Sequence, residues 1–154
     1  MTVRRLICPL LAALTALACE LAPEVGAAQL ERCINVDSDP STSVSFSRDL
    51  FPKVIMPKCV KCHDPNSGAG GSSEGNIGFT VGGLDLTSRD SLLEGGMNSA
   101  GALIAPGQPC DSVLYQKIGQ SPLSGVRMPF DGPPFLTAEE RGLVVDWIAE
   151  GAQP

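Results

Sequence analysis

Cys59-Val60-Lys61-Cys62-His63 is the stretch on which the reading of this chain turns. Two thiols three positions apart, followed at once by an imidazole, form the C-x-x-C-H pattern of covalent haem attachment. The spacing lets both thiols form thioethers to the two vinyl groups on one edge of a porphyrin, and the histidine next in line then falls beneath the iron. With six Cys and one His in 154 residues, chance would place the pattern about 0.0015 times, so coincidence does not account for it. Two other chemistries use such a cysteine pair. A thioredoxin-like dithiol wants a βαβ context, and no alternation of strands and helices surrounds these residues. A structural zinc site needs four ligands, so Cys33, Cys110 or a carboxylate would have to join.

The rest of the composition narrows the field. A single His excludes any site that needs two imidazoles from the same chain, including two-His zinc fingers, His-x-x-x-His metalloproteases and bis-His haem ligation. A formal charge of −6 lacks the electrostatic footprint of a nucleic-acid binder. Only seven aromatics stand beside 17 Gly and 13 Pro, so a group other than side chains is expected to fill part of the core, packed against Val54, Leu114, Leu143 and Trp147. On that expectation the haem-free chain is poorly folded. Glu139 and Glu140 open a helix and Asp37 and Asp39 lie in a polar stretch, so the carboxylates offer no catalytic pair.

If His63 takes one axial position of the iron, the other must come from elsewhere, and with Met1 in the leader the thioether candidates are Met56, Met97 and Met128. Met56 lies three residues before Cys59 and cannot easily reach the opposite face. Met97 sits in the polar turn Gly95-Gly96-Met97-Asn98. Met128 lies far along the chain in Gly125-Val126-Arg127-Met128-Pro129-Phe130, where the following Pro favours an extended backbone that presents the side chain from a loop. Met128 is the favoured ligand. Arg127 beside it is read as an exposed loop residue, with neutralisation of a haem propionate as the alternative.

The amino terminus reads as an export signal: Arg4 and Arg5 precede the apolar run Leu6 to Ala18, which is too short to span a bilayer. Cleavage after Ala18 would expose Cys19 to lipid modification, while cleavage near Ala27 or Ala28 would remove it. The expected organisation is a leader over 1–28, an extension over 29–45 and one domain over 46–152. With Cys59 and Cys62 consumed by haem, Cys33 and Cys110 remain as a pair in an oxidising compartment, and a disulfide between them would close a loop of 76 residues. Two unrelated thiols are the alternative.

Helical signals run through the domain. Ser47 is expected to cap a helix ending near Met56, cut short by Pro57. Thr87 or Ser88 starts a short helix stopped by Gly95 and Gly96, and another runs from Asp111 to Ile118 before Gly119. Thr137 with Glu140 forms a capping box ahead of the stripe Leu143, Val144, Trp147 and Ile148. Residues 66–83 are rich in Gly and Ser and are expected to be a surface loop without chemistry. The fold class is all-α.

The chain resembles a single-haem class I cytochrome c of the short exported branch. The residues that carry this are Cys59 to His63, Met128-Pro129, Gly132-Pro133-Pro134, Leu136-Thr137-Ala138-Glu139-Glu140 and Trp147-Ile148-Ala149-Glu150-Gly151-Ala152. Phe46 to Leu50 with Pro52, Gly83-Leu84-Asp85-Leu86 and Pro106-Gly107-Gln108-Pro109 extend the resemblance over about 46–152. It implies helices wrapped around one covalent haem c, His63 and Met128 as axial ligands, and a His63 ring N–H donated to a backbone carbonyl, expected to be that of Pro65. With both axial sites filled by protein there is no open position for substrate. The implied role is therefore a periplasmic or otherwise exported single-electron carrier between redox protein partners, not an enzyme, with no membrane span in the mature chain. The alternatives are a haem-bearing subunit of a larger exported oxidoreductase and a haem-based ligand sensor.

Overall fold

The structure, a computed structural model, describes residues 33–67, 76–99, 103–120, 122–123 and 125–154. The expected leader, with Cys8 and Cys19, lies outside them. The described residues form helices and connecting turns with no strand, which agrees with an all-α class.

The first helix, Phe46–Ile55, has π geometry. Its cap is Ser45 rather than Ser47, with the Ser45 hydroxyl accepting from the Arg48 N–H. Starting at Phe46 places Phe46, Leu50 and Val54 on one buried face, while Ser47 stays exposed. Leu50 N–H and Met56 N–H reach back five residues, to the carbonyls of Ser45 and Phe51. This wider turn accommodates Pro52, whose ring in a regular helix would meet the carbonyl four residues earlier.

Pro57 does not end the helical run. It falls in the first turn of α1 (Met56–Lys58), where its missing N–H costs nothing, and Cys59 N–H donates to the Ile55 carbonyl at 2.9 Å. The chain then turns through Cys59 into α2 (Val60–His63).

The Gly/Ser-rich segment is not all loop. Residues 76–82 carry α3 (Ile77–Gly82), entered through Asn76 and closed by Gly83, both in the left-handed region. Next comes α4 (Arg89–Glu94), capped by Ser88 with a reciprocal bond from Ser91 and stopped at Gly95. A 3-10 turn, Pro109–Asp111, leads into α5 (Val113–Ile118), which Gly119 ends as expected. The last helix, α6 (Ala138–Ala149), has the anticipated capping box: Glu140 N–H donates to Thr137 Oγ1 at 3.1 Å and Thr137 N–H to Glu140 Oε2 at 2.8 Å.

The core gathers where the π-helix, α5 and α6 meet. Trp147 is fully buried, tilted against Phe46 at 5.7 Å between ring centroids, and its indole N–H donates to the Gln153 carbonyl at 2.7 Å. Of the four residues expected to pack against a haem, Val54, Leu114 and Trp147 are buried among protein atoms and Leu143 is half-buried. The extension ahead of the first helix is strapped to the same core. Ser38 gives its N–H and hydroxyl to the Asp146 carboxylate (2.8 and 2.7 Å), and Val44 N–H donates to Glu150. Cys33 and Cys110 form the expected disulfide, with α-carbons 5.6 Å apart.

Candidate haem site

The turn of α2 sets the thiols. Cys62 N–H and His63 N–H both donate to the Cys59 carbonyl at 3.1 Å, so the two cysteines sit one turn apart with His63 immediately beyond. Neither cysteine is in a disulfide, and both are half-buried. Burial pushes the Cys59 thiol up to about 12, with Cys62 and Glu140 adding to the effect and Lys58 opposing it. A disulfide-exchange dithiol needs the opposite, a cysteine whose pKa is depressed. With Cys33 and Cys110 bonded to each other, no group of three or more His, Cys, Asp or Glu able to hold a metal exists among the described residues. The zinc and dithiol readings therefore lose their support.

His63 is held from two sides. Its Nδ1–H donates to the Leu84 carbonyl at 3.2 Å, and its own carbonyl accepts from Leu86 N–H at 2.9 Å. The ring partner is thus Leu84 and not Pro65, whose carbonyl instead accepts from the Asn76 side chain at 3.4 Å. The segment Leu84–Leu86, pinned to His63 by its backbone, lies where the ring points. Pro65 is only two residues beyond the helix, and its carbonyl faces Asn76.

On its face the ring meets Gly78 of α3. A Cβ there would come within 2.5 Å of Nδ1 and 2.6 Å of Nε2, and closer still to Cε1, so only glycine leaves room for the imidazole. Burial lowers the His63 pKa, and the Leu84 bond offsets part of that. A neutral ring with Nδ1–H committed to a carbonyl leaves Nε2 as a lone-pair donor, the state that ligates iron. Gly78, Leu84 and α3 were not identified from the sequence. The only available signal was the Gly83-Leu84-Asp85-Leu86 match, which carries the carbonyl but does not reveal its partner.

The three methionines separate. Met56 is 53% exposed at the start of α1. Met97 is 68% exposed and packs its side chain on Gly83, at the end of the helix that backs His63, so it belongs to the histidine side. Met128 is half-buried, its N–H fixed on the Lys117 carbonyl at 2.8 Å. Its loop is tied to the motif, because Asp131 pairs with Lys61, which lies between the two cysteines. Lys58, just before Cys59, pairs with Glu140 of α6 at 3.6 Å.

Arg127 is half-buried, contrary to the expectation of an exposed loop residue. Its guanidinium carbon lies 4.0 Å from the centre of the Phe135 ring, and its Nε is shut off from solvent and has no hydrogen-bond partner among the described residues. A buried donor in that state costs about 1–3 kcal/mol.

This donor set fits haem c: a thiol pair at the attachment spacing, an imidazole cradled by a glycine with Nε2 available, and an orphaned cationic donor beside the Met128 loop. Residues 59–132 match the family model described as Planctomycete cytochrome C. The chain is 32% identical over 138 residues to hydrazine synthase subunit alpha of Kuenenia stuttgartiensis, an alignment covering 75% of this chain and 16% of the relative. A solved structure described as Kuenenia stuttgartiensis hydrazine synthase is 31% identical, covers 71% of this chain and 16% of that chain, and superposes with a TM-score of 0.43. The chain therefore spans about a sixth of the length of these relatives. The family match supports a cytochrome c-like domain at residues 59–132, and with it the haem c that such domains carry.

Proposed function

We propose that this chain is an exported mono-haem c-type cytochrome that carries single electrons between protein redox partners. Cys59 and Cys62 would hold the haem through thioethers, His63 would be the proximal iron ligand and Met128 the distal one. The observation that carries the reading is His63 itself: Nδ1–H is committed to the Leu84 carbonyl and Gly78 fits the ring face, so the imidazole is pre-oriented with Nε2 available. When bound, the haem supplies a one-electron Fe(III)/Fe(II) couple. Leu84 and Gly78 hold the ring in one orientation, and the Lys61–Asp131 pair holds the Met128 loop to the attachment turn. The Cys33–Cys110 disulfide supports placement in an oxidising compartment.

A second reading is favoured by the likeness to a protein named as one subunit of a synthase. In this reading the domain is the haem-bearing, electron-transferring part of a larger exported oxidoreductase. Native purification separates the two, because a carrier runs as a small protein and a subunit co-purifies with a larger chain.

The test of the site is an optical spectrum of the matured protein before and after Met128→Ala. Wild type should keep its haem through acid-acetone extraction and show the long-wavelength ferric band of methionine ligation. Met128→Ala should lose that band, bind carbon monoxide when reduced and show a lower midpoint potential. An unchanged spectrum would remove Met128 from the iron, and extractable haem would overturn the thioether assignment.

A further inference from the structure

We propose that Asn76 and Gly96 are positioning residues for the His63 imidazole: Asn76 fixes the entry of α3, Gly96 fixes its exit, and together they hold Gly78 and the Leu84 carbonyl against the ring. The proposal rests on the haem-site reading above and concerns two residues to which the ligation pattern gives no part.

The entry is built on an uncommon backbone. Asn76 has φ 48°, and among the described residues Ala152 is the only other non-glycine with a positive φ. Asparagine tolerates this left-handed conformation better than most L residues. There its carbonyl accepts from Phe79 N–H at 2.9 Å and Thr80 N–H at 2.8 Å, which starts α3. Its side chain ties two segments together: Oδ1 accepts from the Thr80 hydroxyl at 2.8 Å, and the amide donates to the carbonyl of Pro65, two residues past His63, at 3.4 Å. Gly78 follows two residues later, so the direction of entry decides how closely its backbone meets the ring. The tolerance is small, because a Cβ on Gly78 would lie 2.6 Å from His63 Nε2.

The exit is closed by one turn. Met97 N–H donates to the Gly82 carbonyl at 2.9 Å, and Gly96 N–H donates to Ser99 Oγ at 2.9 Å. A Cβ on Gly96 would fall 2.5 Å from the Gly82 carbonyl oxygen, 3.0 Å from Leu84 Cβ and 3.2 Å from Leu84 Cα. Two of these three are backbone atoms, which cannot swing aside as the end of a long side chain can. The turn therefore bears on both contacts of the ring: on α3, which carries Gly78, and on Leu84, whose carbonyl accepts the ring N–H at 3.2 Å.

The two contacts restrain different motions. A hydrogen bond to Nδ1–H fixes where the ring points, as second-shell acceptors do for ligating histidines, but leaves rotation about that direction soft. A backbone pressed on the ring face stops the rotation. Asn76 thus governs the rotation alone, and Gly96 governs both.

The experiment uses the full chain matured with its haem, comparing wild type with Asn76→Gly, Gly96→Ala and Ser88→Ala. Asn76→Gly keeps the left-handed backbone and removes only the side-chain ties. Ser88→Ala removes the cap of α4 and serves as a control for general destabilisation. Covalent haem content is measured first. Proton NMR of the ferric form then gives the haem-methyl shifts, which follow the orientation of the axial ligand planes, and the solvent exchange of His63 Nδ1–H. Asn76→Gly should change the haem-methyl pattern with little change in exchange. Gly96→Ala should change the pattern and speed exchange about fivefold, the factor one neutral hydrogen bond is worth. Ser88→Ala should change neither. An unmoved methyl pattern in haem-loaded Asn76→Gly and Gly96→Ala would overturn the positioning role, as would an equal change in Ser88→Ala. If Gly96→Ala fails to accumulate, Asn76→Gly decides by the same pattern. A wild-type protein without covalent haem would overturn the underlying haem reading and this proposal with it, whereas covalent haem with unmoved shifts overturns the positioning role alone.

Discussion

Replacing Gly78 by Ala sets two opposed effects against each other, and their magnitudes decide the outcome. Ala at a helical position gains at most about 0.5–1 kcal/mol over Gly, and less here because Gly78 is only the second residue of α3. Against it, the new Cβ would lie 2.5–2.6 Å from both ring nitrogens of His63. Such overpacking costs about 1–3 kcal/mol. Relief by sliding the ring off Leu84 forfeits a hydrogen bond worth about 0.5–1.5 kcal/mol. The net expectation is a loss of about 2 kcal/mol, accompanied by disturbed histidine ligation. Denaturant unfolding of the matured protein gives the first quantity, provided the slope is unchanged, and the ferric spectrum gives the second. Gly142→Ala in α6 is the matched control, because nothing lies within 4 Å of its Cβ position; it should be stabilising. If Gly78→Ala behaved like Gly142→Ala, with wild-type stability or better and an unaltered spectrum, the argument that α3 cradles the imidazole would be wrong.

Removing the Cys33–Cys110 bridge by Cys33→Ser with Cys110→Ser should cost about 4 kcal/mol on the chain-entropy model for a 76-residue loop, read as a fall in the denaturant midpoint; a negligible fall would show the bridge to be dispensable. A double-mutant cycle on Lys61→Ala and Asp131→Asn should give a small coupling that vanishes at high salt, since both side chains are about half exposed; a coupling insensitive to salt would contradict the exposed geometry. Hydrogen bonds from Lys53 and from the Ser45 backbone hold the Asp49 carboxyl down to about 2, below its unfolded value of roughly 3.9. Its contribution is therefore present above about pH 4 and lost as pH falls toward 2. Asp49→Asn should flatten that acid limb, and an unchanged limb would rule out this origin.

What the sequence made legible was what local chemistry encodes. The motif, the disulfide, the capping box at Thr137 and the Gly95 and Gly119 stops each depend on residues close in the chain or on a simple count of thiols. What it hid depends on tertiary contact. Ser45 and Ser47 are equally good caps, and the choice falls to Ser45 because Phe46 must reach Trp147. Pro57 reads as a terminator unless the helix restarts around it. The Gly-rich composition of 66–83 masks a helix whose glycine is selected by an imidazole fifteen residues earlier, not by local flexibility. Arg127 looks like a loop cation until Phe135, eight residues on, folds against it.

The apolar residues divide in a way that links folding to chemistry. One set, including Leu50, Val54, Leu92, Ile104, Val144, Trp147 and Ile148, is closed off by protein atoms alone. Among the described residues a second set stands exposed: besides Ile34, Val36 and Met56 it comprises Ile77, Val81, Met97, Leu123, Val126 and Phe130. Scattered exposed apolar residues need no explanation, but the last six of these fall on α3, on the turn that packs against Gly83 and on the loop that carries Arg127 and Met128. Those three segments are the ones that flank the proposed iron ligands. Each such side chain withdrawn fully from water would contribute about 1.5–3 kcal/mol, so a haem seated among them would stabilise the segments proposed to ligate it, as any ligand bound to the folded state does. The π-helix, α5 and α6 meet on the side that protein atoms close, and on the proposed reading the haem would cover the other side. On the proposed reading, this division would let a chain with seven aromatics complete its core: protein atoms close one side, and a haem held by Cys59, Cys62 and His63 would cover the other.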